Sequence, residues 1–233
     1  VRYPALGYTT VDLARHIEHT ILSATCTDRD IDRVVREAIA HRFLGVCVPP
    51  FWVQRARREI GSSGVLLVTV AGFPLGYSLT ETKLDEIRRA LDHGADEIDM
   101  VMNVSSFKTG LPWTKVDVSK CTGLVHQHDR LLKVILETAY LTEEEIVSAC
   151  ALCADAGADI VKTSTGFASA GAVVEHVRLM RSVLPPSVGV KAAGGIKTAE
   201  FARQLVEAGA DRLGTSSGIA IVSEGSPAPG IPY

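Results

Sequence analysis

Five charged residues sit where runs of strand-forming apolar residues should continue. "EIDMVMNV" (97–104) carries Asp99, "LLKVILET" (131–138) carries Lys133 and Glu137, "DIVKTST" (159–165) carries Lys162, and "VGVKAAG" (188–194) carries Lys191. A charge inside a sheet is costly unless it is paired, solvated or neutralised. Lys162 and Lys191 fall on successive strands, where two ammonium groups repel. The cheapest relief is loss of one proton, and burial pushes the same way. A neutral lysine is a nucleophile suited to forming an imine with a carbonyl, and a partner that stays protonated can stabilise charge or return a proton. Asp99 fits two roles, counter-ion to the pair or proton relay. Lys133 and Glu137, taken singly, read equally well as snorkelling or salt-bridged strand residues.

A second set of residues suits an anion. The last two strands end in "KAAGGIKTAE" and "RLGTSSGIA". Gly194 and Gly195 let backbone amides approach a ligand closely, and Ser216 and Ser217 add hydroxyl donors. In barrel enzymes the loops after strands seven and eight often hold phosphate. Other chemistry is poorly supported. His126 and His128 in "HQHD" diverge on a helix, no H-E-x-x-H occurs, and "VAGFPLG" lacks the order of a dinucleotide fingerprint. No metal is expected. Cys150 and Cys153 form a C-x-x-C within a helical pattern and read as packed small hydrophobes.

These groups must be positioned by the elements around them. Eight strand-like runs (19–22, 45–48, 65–72, 97–104, 131–138, 159–165, 188–194 and 212–217) alternate with segments of helical periodicity such as "TDRDIDRVVREAIAHR". Thr27, Thr80 and Thr142 each precede an acidic stretch and predict N-caps. The triplet Gly-Ala-Asp recurs at 94–96, 157–159 and 209–211, each time between a helix and a strand. Strict alternation predicts a parallel sheet. At this length a closed (β/α)8 TIM barrel fits better than an open doubly wound sheet. The segment before the first strand is expected to form an extra N-terminal helix over the barrel's N-terminal end, and residues 1–233 to form a single domain.

The bulk properties exclude several classes. A net charge of −3 over 233 residues offers no footprint for nucleic acid or an anionic membrane. No apolar run is long enough to span a bilayer, and five scattered cysteines do not make a disulfide framework. The first residues lack the apolar core of a signal peptide, so a cytoplasmic location is expected.

"VAGFPLG", "GADEIDMVMN", "LLKVILET", "VKTSTGF", "VKAAGGIKT" and "ADRLGTSSGIAIV" resemble, in order and spacing, the successive motifs of deoxyribose-phosphate aldolase. The similarity runs from about residue 17 to residue 222. It implies a class I aldolase that reversibly cleaves 2-deoxy-D-ribose 5-phosphate into D-glyceraldehyde 3-phosphate and acetaldehyde with no cofactor. By motif position Lys162 would form the Schiff base, Lys191 would depress its pKa and share in proton transfer, and Asp99 would belong to the proton relay. Gly166, Gly194, Gly195, Gly214, Ser216 and Ser217 would surround the phosphate, with Thr20 and Cys47 lining the pocket. Partners would be the phosphosugar and aldehyde substrates, with a homodimer expected from the resemblance. A C-terminal tyrosine reaches the site in some members, a role open to Tyr233. Departures from the family pattern include Glu18 for the usual Asp, Pro49 for Asn and Lys197 for Arg. Two other readings stay open: a phosphosugar isomerase or epimerase using Asp99 as base, and a catalytically silent phosphosugar-binding protein.

Overall fold

The computed structural model describes residues 12–224. Eight parallel strands close into a barrel, each paired with the next in sequence and the last with the first. They are β1 Ile17–Thr20, β2 Gly45–Cys47, β3 Leu66–Ala71, β4 Glu97–Val101, β5 Leu131–Ile135, β6 Ile160–Lys162, β7 Gly189–Ala193 and β8 Arg212–Thr215. The helices between and after them are α1 Asp28–Ala40, α2 Val53–Ile60, α3 Thr80–Asp92, α4 Val104–Lys108, α5 Trp113–His126, α6 Glu143–Asp155, α7 Val174–Val183, α8 Ala199–Glu207 and α9 Gly218–Glu224. The expected strands overrun at their C-terminal ends, where the chain leaves the sheet to build the barrel mouth. Among the described residues no helix is long and apolar enough to cross a membrane.

Helix starts and stops follow local chemistry. The Thr27 N–H donates to Asp30 at 2.9 Å and the Thr142 N–H to Glu145 at 2.8 Å, the carboxylate arm of a capping box in each case. Thr80 is not a cap. The Lys83 N–H donates to the Leu79 carbonyl at 3.2 Å, so the helix starts one residue earlier with Leu79 as N-cap. That start places the fully buried Lys83 so that its Nζ meets the Val101 carbonyl at 2.9 Å and Asp117 at 2.5 Å.

The repeated Gly-Ala-Asp joints do two jobs. Gly94, Gly157 and Gly209 take φ of 97°, 86° and 111°, left-handed values that end a helix without a Cβ penalty. The aspartate then grips the neighbouring strand twice. Its N–H donates to the carbonyl of Leu67, Leu132 or Val190, and its carboxylate accepts from the N–H of that same residue at 2.8 Å.

Ahead of β1 the expected helix is, among the described residues, one 3-10 turn over Leu13–His16. Ile17 already belongs to the strand because it is wholly buried in the layer between sheet and helices. The turn does lie at the N-terminal end, with His16 Nδ1 3.0 Å from the Asp211 carbonyl.

Strand parity divides the interior in two. Ile17, Val46, Leu67, Ile98, Met100, Leu132, Val134, Val161, Val190 and Leu213 belong to the apolar core shared with the helices. The strand register links the alternate set, Glu18–Gly45, Val68–Glu97, Val70–Asp99, Asp99–Lys133, Ile135–Lys162, Lys162–Lys191 and Lys191–Arg212, which therefore faces the lumen. Barrel lumens are usually filled by branched apolar side chains. Here three carboxylates and three lysines occupy much of that space.

Candidate active site

The lumen charges form one connected network. Asp99 Oδ1 accepts from Lys133 at 2.9 Å, and Oδ2 accepts from both Lys162 and Lys191 at 2.7 Å. Lys191 also donates to Glu18. Lys133 reaches Glu97 at 2.6 Å and Glu18 at 3.5 Å, and Arg212 lies 3.3 Å from Glu97. All except Arg212 are almost completely buried. Lys133 is thus salt-bridged and not snorkelling, in contact with Glu18, Glu97 and Asp99 at once.

Counting charges shows which lysine is surplus. Glu18, Glu97 and Asp99 supply three negative charges, which Lys133, Lys191 and Arg212 match. Lys162 is the fourth cation. Burial, with the repulsion of Lys191 added, lowers its pKa against the opposing pull of Asp99. Burial disfavours the charge on Lys191 too, yet there the Asp99 and Glu18 carboxylates prevail and raise its pKa. Asp99 is held well below the usual carboxylate range, its own burial outweighed by Lys133, Lys162 and Lys191. The arrangement yields a lysine biased toward the free amine beside a lysine biased toward the ammonium.

A cavity of about 330 Å³ opens at the C-terminal mouth over this network. Of the three residues assigned to catalysis, Lys162 lines it; Asp99 and Lys191 lie behind. Thr20, Gly166, Gly194, Gly195, Gly214, Ser216 and Ser217 all line it, together with Thr165 and Lys197. Cys47 does not. It is wholly buried in an apolar cluster with Val68 and Val70, against Leu22 and Phe73. Burial, followed by the Asp99 charge, pushes its thiol up to about 11, so it is a packed thiol and not a wall of the pocket. Gly214 has a further use: a Cβ there would lie 3.2 Å from Lys191 Cε, so its bareness makes room for the lysine shaft.

From sequence, some residues that shape the site have no assigned role, and Glu18 stands out only as a departure from the family pattern. Glu18, which holds Lys191, lies two positions before Thr20 and shares its face, so strand parity was an available signal. Gly171 lies in the loop after β6, and a Cβ on it would meet the Gly194 carbonyl oxygen at 2.3 Å. The Ala172 N–H donates to that same carbonyl at 3.0 Å, which binds the loops after β6 and β7 together. Phe73 and Phe167, from the loops after β3 and β6, meet edge to face with ring centroids 5.3 Å apart. Tyr233 lies outside the described residues.

A closed (β/α)8 barrel with a lysine of lowered pKa at its mouth defines a class of barrel suited to covalent chemistry on carbonyl compounds. Comparison with known proteins narrows the class. Residues 10–224 match the model of the DeoC/LacD family of aldolases. The chain is 49% identical over 215 residues to the deoxyribose-phosphate aldolase of Thermococcus gammatolerans, covering 91% of this chain and 96% of that one. It is also 49% identical over 214 residues to that of Brevibacillus brevis, with the same shares covered. The tetrameric deoxyribose phosphate aldolase structure from Aeropyrum pernix superposes with a TM-score of 0.85 at 34% identity, over 91% of this chain and 90% of that one. The chain belongs to the DeoC/LacD family of aldolases.

Proposed function

We propose that this aldolase reversibly cleaves 2-deoxy-D-ribose 5-phosphate to D-glyceraldehyde 3-phosphate and acetaldehyde through an imine on Lys162. The observation that carries the reading is the unequal treatment of two lysines by one carboxylate: Lys162 and Lys191 share Asp99 Oδ2, yet Lys162 is biased toward the amine and opens onto the cavity.

The Lys162 nitrogen attacks the aldehyde carbon of the open-chain sugar, and loss of water from the carbinolamine leaves a protonated imine. That cation withdraws electrons from the bond between C2 and C3, which breaks to release the phosphorylated aldehyde and an enamine. Protonation at carbon and hydrolysis return acetaldehyde and free Lys162. Lys191, through Asp99, supplies and retrieves the protons these steps need. Gly166, Gly194, Gly195, Ser216, Ser217 and Lys197 would hold the phosphate at the far end of the cavity. Binding there orients the reacting carbon and converts remote affinity into rate.

The isomerase reading fits the geometry less well. A base acting through Asp99 alone would have no use for a lysine of lowered pKa that opens onto the cavity, and Asp99 lies behind that lysine, bonded to Lys133, Lys162 and Lys191. The test is borohydride reduction in the presence of acetaldehyde, followed by peptide mapping. An N-ethyl group on Lys162 is expected; a folded enzyme that cleaves the sugar without any lysine adduct would overturn the mechanism.

We place the protein in the cytoplasm, in keeping with its free cysteines, with phosphosugar and aldehyde as its partners. For the homodimer, a groove of about 650 Å³ is lined by the exposed Tyr77, Leu79, Leu111 and Trp113. An apolar patch of this kind suits a contact between two copies of the chain. Trp113→Glu should lower the solution mass to that of one chain, and a wild-type protein already monomeric at micromolar concentration would refute the assignment.

A further inference from the structure

Glu137 is a buried carboxylate that the lumen network does not use. It follows β5 and is 3% exposed, yet no lysine or arginine among the described residues is in ion-pair contact with it, whereas Glu18, Glu97 and Asp99 each hold a lysine. Among the described residues, all hydrogen bonds to its carboxylate come from one residue. The Thr165 N–H lies 3.3 Å from both carboxylate oxygens, and the Thr165 hydroxyl donates to Oε2. Its backbone is also unusual, with φ 56° and ψ 68°, a left-handed conformation disfavoured for a residue with a side chain. The amides on either side are tied to the neighbouring strand segment, Leu136 to the Lys162 carbonyl and Thr138 to the Thr163 carbonyl, each at 2.9 Å. Strain of this kind persists where the surroundings over-determine it and often accompanies function.

The consequence falls on Thr165, which lines the cavity between Lys162 and Gly166. A hydroxyl has one proton and two lone pairs. The proton is committed to Glu137, and one lone pair accepts from the Phe167 N–H at 3.0 Å. What remains for a ligand is a single acceptor position. We infer that Glu137 is a positioning residue that fixes Thr165 as an acceptor for a substrate hydroxyl next to the reacting carbonyl. This rests on the imine reading of Lys162. Chemically the polarity is the useful one: as the C2–C3 bond breaks, the C3 hydroxyl loses its proton and becomes a carbonyl, so an acceptor on that O–H assists and a donor would oppose.

Glu137→Gln tests the idea because an amide can donate to Thr165 and release its proton. Two reactions of the same enzyme are compared. Cleavage of 2-deoxyribose 5-phosphate involves the hydroxyl; deuterium exchange from D2O into the methyl group of acetaldehyde involves Lys162 but no hydroxyl. In Glu137→Gln, kcat/KM for cleavage should fall about tenfold or more, the size of one hydrogen bond lost in the transition state, while exchange keeps most of its rate. Thr165→Val should show the same split and carries the test if Glu137→Gln does not fold. In the Thr165→Val background Glu137→Gln should add little, the signature of two residues acting as one unit. Proportional loss of both reactions, or unchanged cleavage, would overturn the inference. Wild-type protein that neither exchanges acetaldehyde nor is trapped at Lys162 would instead remove the imine reading, and this inference with it.

Discussion

Lys162 and Lys191 lie opposite each other in register on β6 and β7, and both place Nζ 2.7 Å from the same oxygen of Asp99. Like charges at this separation disfavour double protonation, and the network decides which lysine yields. Lys191 has a second carboxylate in ion-pair contact, Glu18; among the described residues Lys162 has such contact with Asp99 alone.

The Lys162 pKa lies below the 10.5 of an unperturbed lysine. The free amine is the reactive form, so kcat/KM should rise with pH through that lowered pKa and level off above it. Lys191→Met removes the repelling ammonium, which raises the Lys162 pKa and moves this limb to higher pH, while the rate falls for want of the proton donor. A limb that stays in place in Lys191→Met would show that the neighbouring charge does not set the Lys162 pKa.

Lys162→Met should abolish turnover and stabilise the fold. A lysine whose pKa is lower folded than unfolded penalises the native state below both values, and the penalty is relieved as pH rises from the folded pKa toward 10.5. The substitution leaves no carboxylate unpaired, because Asp99 keeps Lys133 and Lys191. The gain at neutral pH should be about 1–2 kcal/mol, as at other functional sites that trade stability for activity. It should shrink as pH approaches 10.5. Chemical denaturation at pH 7 and pH 10 measures both, and a destabilised variant would mean that Lys162 rests as a stabilising ammonium.

Much of this was legible in the sequence, for reasons that differ by residue. Asp99, Lys162 and Lys191 stood out because charge in an apolar strand run contradicts the local pattern. The Gly-Ala-Asp joints were legible because each is a complete local device, a helix stop followed by a clamp. Glu18 stands out in the sequence only as a departure from the family pattern, because a strand starting at His19 leaves it outside β1. Its partners come from β5 and β7, far away in sequence. Thr80 shows the converse limit: its chemistry suits a cap, but the buried contacts of Lys83 set where α3 begins. The resemblance puts Cys47 on the pocket wall, yet the packing of Val68, Val70 and Phe73 seals it from the cavity, and side-chain volume at a barrel mouth cannot be read from strand period.

Gly171→Ala should damage the phosphate end of the site without touching the chemistry. The added methyl would meet the Gly194 carbonyl oxygen at 2.3 Å, and backbone on both sides leaves no flexible atom to yield. The loop carrying Gly166 or the loop carrying Gly194 and Gly195 must move, and both line the cavity. KM for the phosphorylated sugar should rise about tenfold or more, since one displaced charge-assisted hydrogen bond is worth that much. Trapping of acetaldehyde at Lys162 should keep most of its efficiency. An unchanged KM would place the phosphate elsewhere.

Glu18→Gln gives a result opposite in sign to Lys191→Met. The amide keeps the shape and an acceptor for Lys191 but deletes one of the three lumen carboxylates. Lys133, Lys191 and Arg212 then face only Glu97 and Asp99, and the uncompensated positive charge further disfavours protonation of Lys162. The Lys162 pKa should fall and the rising limb of kcat/KM should move to lower pH. Lys191 loses one of the carboxylates that raise its own pKa, so it holds its proton less firmly, and kcat on the plateau should drop about tenfold, within the usual worth of a positioned acid. Parallel pH profiles of wild type, Glu18→Gln and Lys191→Met decide the matter. Limbs displaced in opposite directions identify the lumen charge balance as the determinant of Lys162 reactivity, whereas displacement of both in one direction would mean that either substitution simply loosens the packing around the lysine.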